Sequence, residues 1–277
     1  MKARRNIRKI LFYMIISIIA ISAIVPFLWM LSTSFKAREA IHTIPIRWIP
    51  KEPSVEAYTQ IFKLSNVNFA RSIVNSFYVS SMLTIIPLLT AAMAAFAFAK
   101  LEFKGKNFLF SLFLFTMMLP GTITMIPNFI TLKTFGLLNR YLALLLPALC
   151  NAFAIFFIRQ NMMRISNVYI EAAMMDGASL YRVFSTIMLP LAKPVLFTMG
   201  LFNFMGAWNS FLWPLIVLSS RSKWTLQLGL GNMGTQFGNY QHFLMAGSLI
   251  SIVPIVIVYI IAQKYVEEGL STGGLKG

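Results

Sequence analysis

Residues 171–194 read EAAMMDGASLYRVFSTIMLPLAKP, a polar-marked stretch between two apolar runs that are each long enough to cross a bilayer. Ser166 or Asn167 is placed to cap a short helix ahead of it, with Glu171 near the positive end of that helix. Asp176-Gly177 stops the helix as a C-terminal glycine does. A second helix is expected next, because Leu180, Val183, Phe184, Ile187 and Met188 recur at i, i+3, i+4, i+7 and i+8. Pro190 and Pro194 end it. A helix–turn–helix kept outside the apolar runs presents a surface to a partner.

Outward from this stretch the chain is hydrocarbon. It has 277 residues, 58% of them apolar and 12% charged, and a mean hydropathy of +0.73. A soluble domain carries about twice that charged fraction. A bilayer span needs roughly 20 apolar residues, and six runs qualify: residues 10–31, 73–99, 108–131, 141–158, 195–218 and 243–262. None contains an internal charge. The fold class expected is all-α: a polytopic membrane protein with six transmembrane helices, one transmembrane domain over 1–277, and the helix–turn–helix in loop 159–194. The first run follows Lys2, Arg4, Arg5, Arg8 and Lys9 as a signal peptide would, but no small-residue cleavage pattern closes it at Trp29-Met30-Leu31, so it stays as the first helix.

The net charge of +16 does not indicate nucleic acid, because the basic residues are spread over loops and the N-terminus as membrane flanks are. With the N-terminus inside, the inner segments hold 14 Lys and Arg and the outer ones 10. The short loop with Lys100, Lys104 and Lys106 falls inside with the basic start. Both termini and the 159–194 loop are therefore expected on the cytoplasmic side, with the tail 263–277. Cys150, the one cysteine, is expected to be a buried structural thiol within the fourth run.

Absences narrow the function further. All eight acids lie outside the apolar runs: Glu39, Glu52, Glu56, Glu102, Glu171, Asp176, Glu267 and Glu268. Proton-coupled carriers need ionisable groups within the membrane, although sodium can use backbone carbonyls at broken helices. The chain has no GxxxxGK[ST], so it binds no ATP through a P-loop of its own, and energy for active transport must come from another polypeptide. HExxH is missing too, and His42 and His242 are expected to be solvated or interfacial, so no catalytic or metal site is expected. Gly229, Gly231 and Gly234 mimic a nucleotide fingerprint with no strand before them, and a flexible outer loop is expected there.

Helix breakers are frequent, with Pro26, Pro87, Pro120, Pro127, Pro147, Pro214 and Pro254 in or beside the runs. Breaks in lipid need neighbouring helices or a watery cavity to satisfy the freed backbone groups. Asn203, Trp208 and Asn209 cluster in the fifth run, and an amide beside an indole suits a sugar, which stacks on aromatics and exchanges hydrogen bonds with amides. Interhelical hydrogen bonding and interfacial anchoring account for the same residues, and that alternative stays open.

Glu171-Ala172-Ala173, Asp176-Gly177-Ala178 and Leu189-Pro190 resemble the EAA loop of binding-protein-dependent ATP-binding-cassette importer permeases. Asn75-Ser76-Phe77, the stretch from Ala97 to Lys106, Phe135-Gly136-Leu137-Leu138-Asn139, the stretch Gly206 to Pro214 and the ending from Gln263 to Gly277 are similar to the carbohydrate branch. Within it they resemble the second permease, the partner similar to the smaller maltose-importer subunit, with raffinose or multiple-sugar types included. The resemblance implies a type I importer permease fold in the bacterial inner membrane. It implies pairing with a homologous permease and two cytoplasmic ATP-binding subunits, which hold the ATP and magnesium, so that this chain carries no cofactor and no catalytic residue. An extracytoplasmic binding protein delivers the sugar.

By the same resemblance Glu171, Ala172, Ala173, Asp176, Gly177, Leu180, Phe184 and Pro190 dock into and couple to the ATPase. Leu180, Val183, Phe184, Ile187 and Met188 would hold the second helix on the permease's own helix ends. The tail from about Gly269 to Gly277, with Lys276, would reach the ATPase dimer and need it for order. Asn203, Trp208 and Asn209 remain the candidates for the substrate path, with Ser210 where the family often has an aromatic or charged residue. The alternatives are an ion-coupled secondary sugar transporter and a glycerol phosphate importer on the same scaffold.

Overall fold

The computed structural model describes residues 2–41, 45, 47–63, 68–236 and 241–274. Every regular element among the described residues is helical. In chain order these are α1 (Lys2–Ser34), α2 (Glu56–Ile61), α3 (Phe69–Lys100), α4 (Lys106–Thr116), α5 (Gly121–Thr134), α6 (Leu142–Ala148) and α7 (Ala152–Met163). Then come α8 (Val168–Met175), α9 (Leu180–Val183), α10 (Leu189–Leu191), α11 (Lys193–Trp208), α12 (Leu212–Val217), α13 (Leu226–Gln236) and α14 (Gln241–Gly274). Asn6–Ser34, Phe69–Lys100 and Gln241–Val266 are each long and apolar enough to cross a membrane, and the number reaches six if each of three bent pairs counts as one span. The most apolar 18-residue stretch of α1 has no buried residue among the described residues, which fits a helix solvated by lipid.

Two of the three bent pairs replace what the apolar runs suggest as continuous helices. Run 108–131 folds back by 99° between α4 and α5, where Pro120 is extended and has no N–H to continue α4. Run 141–158 bends by 48° after Pro147, and Asn151 restarts it by accepting the Ala154 N–H at 3.0 Å. Run 195–218 breaks after Trp208, while its N-terminal end meets the preceding helical segment at 78° beside Lys193-Pro194.

Two compact units form, residues 1–69 with 229–253 and residues 70–228 with 254–277. In the first, Ser34 Oγ and Tyr58 Oη hydrogen-bond at 2.8 Å, and the Ser54 N–H donates to the Phe35 carbonyl at 2.8 Å. The expected flexible loop at Gly229, Gly231 and Gly234 is instead part of α13. Leu230 and Met233 are buried, and that packing overrides the low helix propensity of glycine. Gly247 of α14 makes the close approach possible, since a Cβ there would stand 2.5 Å from Leu230 Cδ2 and 2.9 Å from Ile61 Cδ1. His242, expected to be solvated or interfacial, is buried against Phe243. His42 lies outside the described residues.

The second unit is built on the small-residue face of α3. Ala91, Ala92 and Ala95 are fully buried and let α7 approach through Ala154, Ile155, Ile158 and Met162. Cys150, expected to be buried, is exposed at the break between α6 and α7.

Candidate functional site

The 168–191 segment folds on its own hydrogen bonds. The Ala178 N–H reaches back to the Ala173 carbonyl at 2.9 Å and the Gly177 N–H to the Met174 carbonyl at 3.0 Å, the two bonds of a Schellman motif. Gly177 takes the left-handed conformation this motif needs, at φ +79°. The side chains of Ala173 and Ala178 pack on the core beneath the turn. Ser179 Oγ then accepts the Arg182 N–H at 3.3 Å and starts α9, a cap that a Ser just before the apolar run announces. A π-turn over Phe184–Met188 follows, where the Ser185 and Thr186 hydroxyls donate back to carbonyls of the preceding turn.

Anchoring falls to Ile170, Val183, Phe184 and Met188, all buried against α3 and α7. Phe184 meets the Phe96 ring at 5.4 Å. Leu180 departs from the expected packing face: it is 45% exposed, because it opens α9 beyond the edge of this core. Ile187 is half-buried. Asn167 does not cap α8, since its Oδ1 accepts the Lys100 ammonium at 2.8 Å; the Lys100 ammonium also donates to the Ile165 carbonyl. Ser166 Oγ accepts the Val168 N–H at 3.4 Å.

Outward stand Glu171, Ala172, Asp176 and Pro190, with Tyr169, Met174, Met175, Leu180 and Tyr181 as an apolar surface around the turn. Met175 at 88% and Tyr181 at 79% exposure have no packing role within the chain. Tyr169, Met174, Met175 and Tyr181 were not among the sequence candidates, although a Met pair beside the Asp-Gly turn is visible in the stretch itself.

The fifth-run candidates part company. Asn203 lines a cavity of about 430 Å³ with Pro87, Pro147, Asn151, Ser210 and Trp213. Trp208 is buried away from it, between the rings of Phe77 at 4.9 Å and Phe204 at 5.8 Å. Asn209 spends its amide on the Met205 carbonyl of its own helix at 2.9 Å. Asn151 and Trp213 join the cavity wall without having been singled out, because they sit on other elements. Trp213 Nε1 donates to the Ala143 carbonyl at 3.2 Å, which fixes its indole. Gly269 lies within α14, whose backbone is helical through Gly274 where an unstructured tail was expected. Lys276 lies outside the described residues.

Comparison with known proteins decides the family. Residues 88–272 match the family described as binding-protein-dependent transport system inner membrane component. This chain is a member of that family. The arabinooligosaccharides transport system permease protein AraQ of Halalkalibacterium halodurans is 36% identical over 94% of this permease and 93% of its own length. The inner membrane ABC transporter permease protein YcjP of Escherichia coli is 31% identical over 99% of both chains. The diacetylchitobiose uptake system permease protein NgcG of Streptomyces coelicolor is 30% identical over 92% of this permease and 84% of its own chain. Among solved structures, a chain of a bacterial ABC transporter that imports the acidic polysaccharide alginate superposes with a TM-score of 0.85 at 27% identity, covering 94% of this permease and 97% of that chain. The sequence-level resemblance to sugar ABC importer permeases thus holds.

Proposed function

We propose that this permease is one of two homologous membrane subunits of an ATP-driven importer of oligosaccharides, coupled to two cytoplasmic ATP-binding subunits through residues 159–194. Six spans carry it across a bacterial inner membrane with both termini inside: α1, α3, the α4–α5 pair, the α6–α7 pair, α11 with α12, and α14. An extracytoplasmic binding protein delivers the sugar, a partner that also appears in the name of the family. The observation that carries the coupling role is the hydrogen-bonded Gly177 turn, which holds Glu171, Met175 and Tyr181 outward while Val183, Phe184 and Met188 anchor it. A surface presented on a stiff, anchored turn passes a rigid-body displacement to α3 and α7, which is how closure of a partner dimer can open a path. Glu171 supplies the charge that an Arg on the ATPase surface would meet.

Arabinooligosaccharide and diacetylchitobiose transport, named for two relatives, make a short oligosaccharide the favoured cargo. The cavity at Asn203 is the candidate path, with its amide and the Trp213 indole as the sugar-facing pair. The test is uptake and ATP hydrolysis by the assembled complex carrying Glu171→Lys or Gly177→Pro. Both variants should reach the membrane with their partners and lose transport and stimulated hydrolysis. Normal uptake by both would refute the coupling role, and ion-driven uptake by this chain alone would favour a secondary transporter.

A further inference from the structure

Lys36 follows the end of α1 with its side chain only 2% exposed. Its ammonium lies 4.1 Å from the centroid of the Trp29 ring. Among the described residues no carboxylate pairs with it and no acceptor takes a hydrogen bond from its ammonium. Burial holds its pKa below the usual lysine value. A desolvated charge without a counter-ion is expensive, so a buried cation lacking one is poised for an anion from outside.

The surroundings fit that role. Lys36 lines a partly open cavity of about 220 Å³ whose other walls include Arg47, Pro50, Lys51 and Glu52. Among the described lining residues three cations stand against one carboxylate, and Glu52 forms no ion pair with any of them. The volume is below the roughly 300 Å³ at which small-molecule sites begin, so a sugar chain does not fit and a single carboxylate does. Arg47 and Lys51 are exposed and can steer an acidic surface inward. Ala37, Ala40 and Pro50 supply an apolar wall for the methylenes of an Asp or Glu stem.

We infer that the Lys36 cavity receives one carboxylate side chain from the extracytoplasmic binding protein and so fixes its docked position. The inference rests on the proposed permease reading, which puts the segment after α1 on the side from which the sugar arrives. The carboxylate would make charge-assisted hydrogen bonds to Lys36 inside and to Arg47 or Lys51 at the rim. Trp29 would hold the ammonium in place between docking events by its cation–π contact.

The experiment uses the complete importer in nanodiscs with the binding protein that supports its uptake. The readout is the binding-protein concentration giving half-maximal stimulation of ATP hydrolysis. Lys36→Met, which keeps the apolar stem, and the double variant Arg47→Gln with Lys51→Gln should each raise that concentration by about tenfold. Basal hydrolysis should stay unchanged in both, and the double variant should flatten the dependence on salt. A carbodiimide, which activates a carboxylate for attack by a lysine amine, should join Lys36 or Lys51 to an acidic residue of the binding protein. An unchanged half-maximal concentration in both variants would overturn the inference. So would a cross-link from Lys36 to Glu52 with the binding protein present, or protection of Lys36 from acetylation by inorganic phosphate but not by the binding protein. Loss of basal hydrolysis in the unmodified complex would instead refute the permease reading beneath it.

Discussion

Between Val168 and Leu191 the signature residues stand outside a backbone that closes its own hydrogen bonds, whereas between Asn203 and Trp213 they are turned inward and depend on other helices. Gly177, Ser179 and Ala178 find their partners within six residues along the chain. Asn203 finds its surroundings on α3, α6 and α12, and Trp213 donates to a carbonyl 70 residues away. The first region is a part that can be read locally. The second is a cavity wall whose members mean nothing singly.

The contrast can be broken most forcefully at Phe184. Its replacement by Ala removes the ring packed on Phe96 and should cost about 3–5 kcal/mol, read as a lowered thermal unfolding midpoint of the purified complex. If the midpoint does not move, the segment is not anchored as a body. A smaller effect separates the fifth-run candidates: Asn203→Leu should raise the KM for sugar uptake about tenfold, while Asn209→Leu leaves it unchanged because that amide serves its own helix. Equal effects at both positions would erase the distinction between wall and helix end. Smallest is Ser179→Ala, which loses only the cap of α9 and should cost about 0.5–2 kcal/mol. Hydrogen exchange at the Arg182 amide should quicken while the Gly177 turn stays protected.

The Asp176-Gly177 stop was legible because a Schellman turn is built from neighbours in sequence. The half-exposed Leu180 was not. Its spacing matches Val183 and Phe184, but periodicity assigns a face without saying how far the neighbouring core extends along it. Gly229, Gly231 and Gly234 misled for the opposite reason, since three glycines in eleven residues lower helix propensity and only tertiary packing reverses it. The 99° fold between α4 and α5 was half legible: Pro120 marks the place, but the angle depends on what each half packs against.

By itself the sequence determined that this protein is helical and lives in a bilayer, because uncharged apolar length is a property of composition. It also determined that the helix carrying Glu–Ala–Ala stops at Asp–Gly, because caps and turns act over a few residues. Tertiary structure alone decided that Asn203, rather than Trp208 or Asn209, reaches the cavity, and that Lys36 is buried beside Trp29. Which way a side chain faces depends on elements far away in the chain, and those are brought near only by folding.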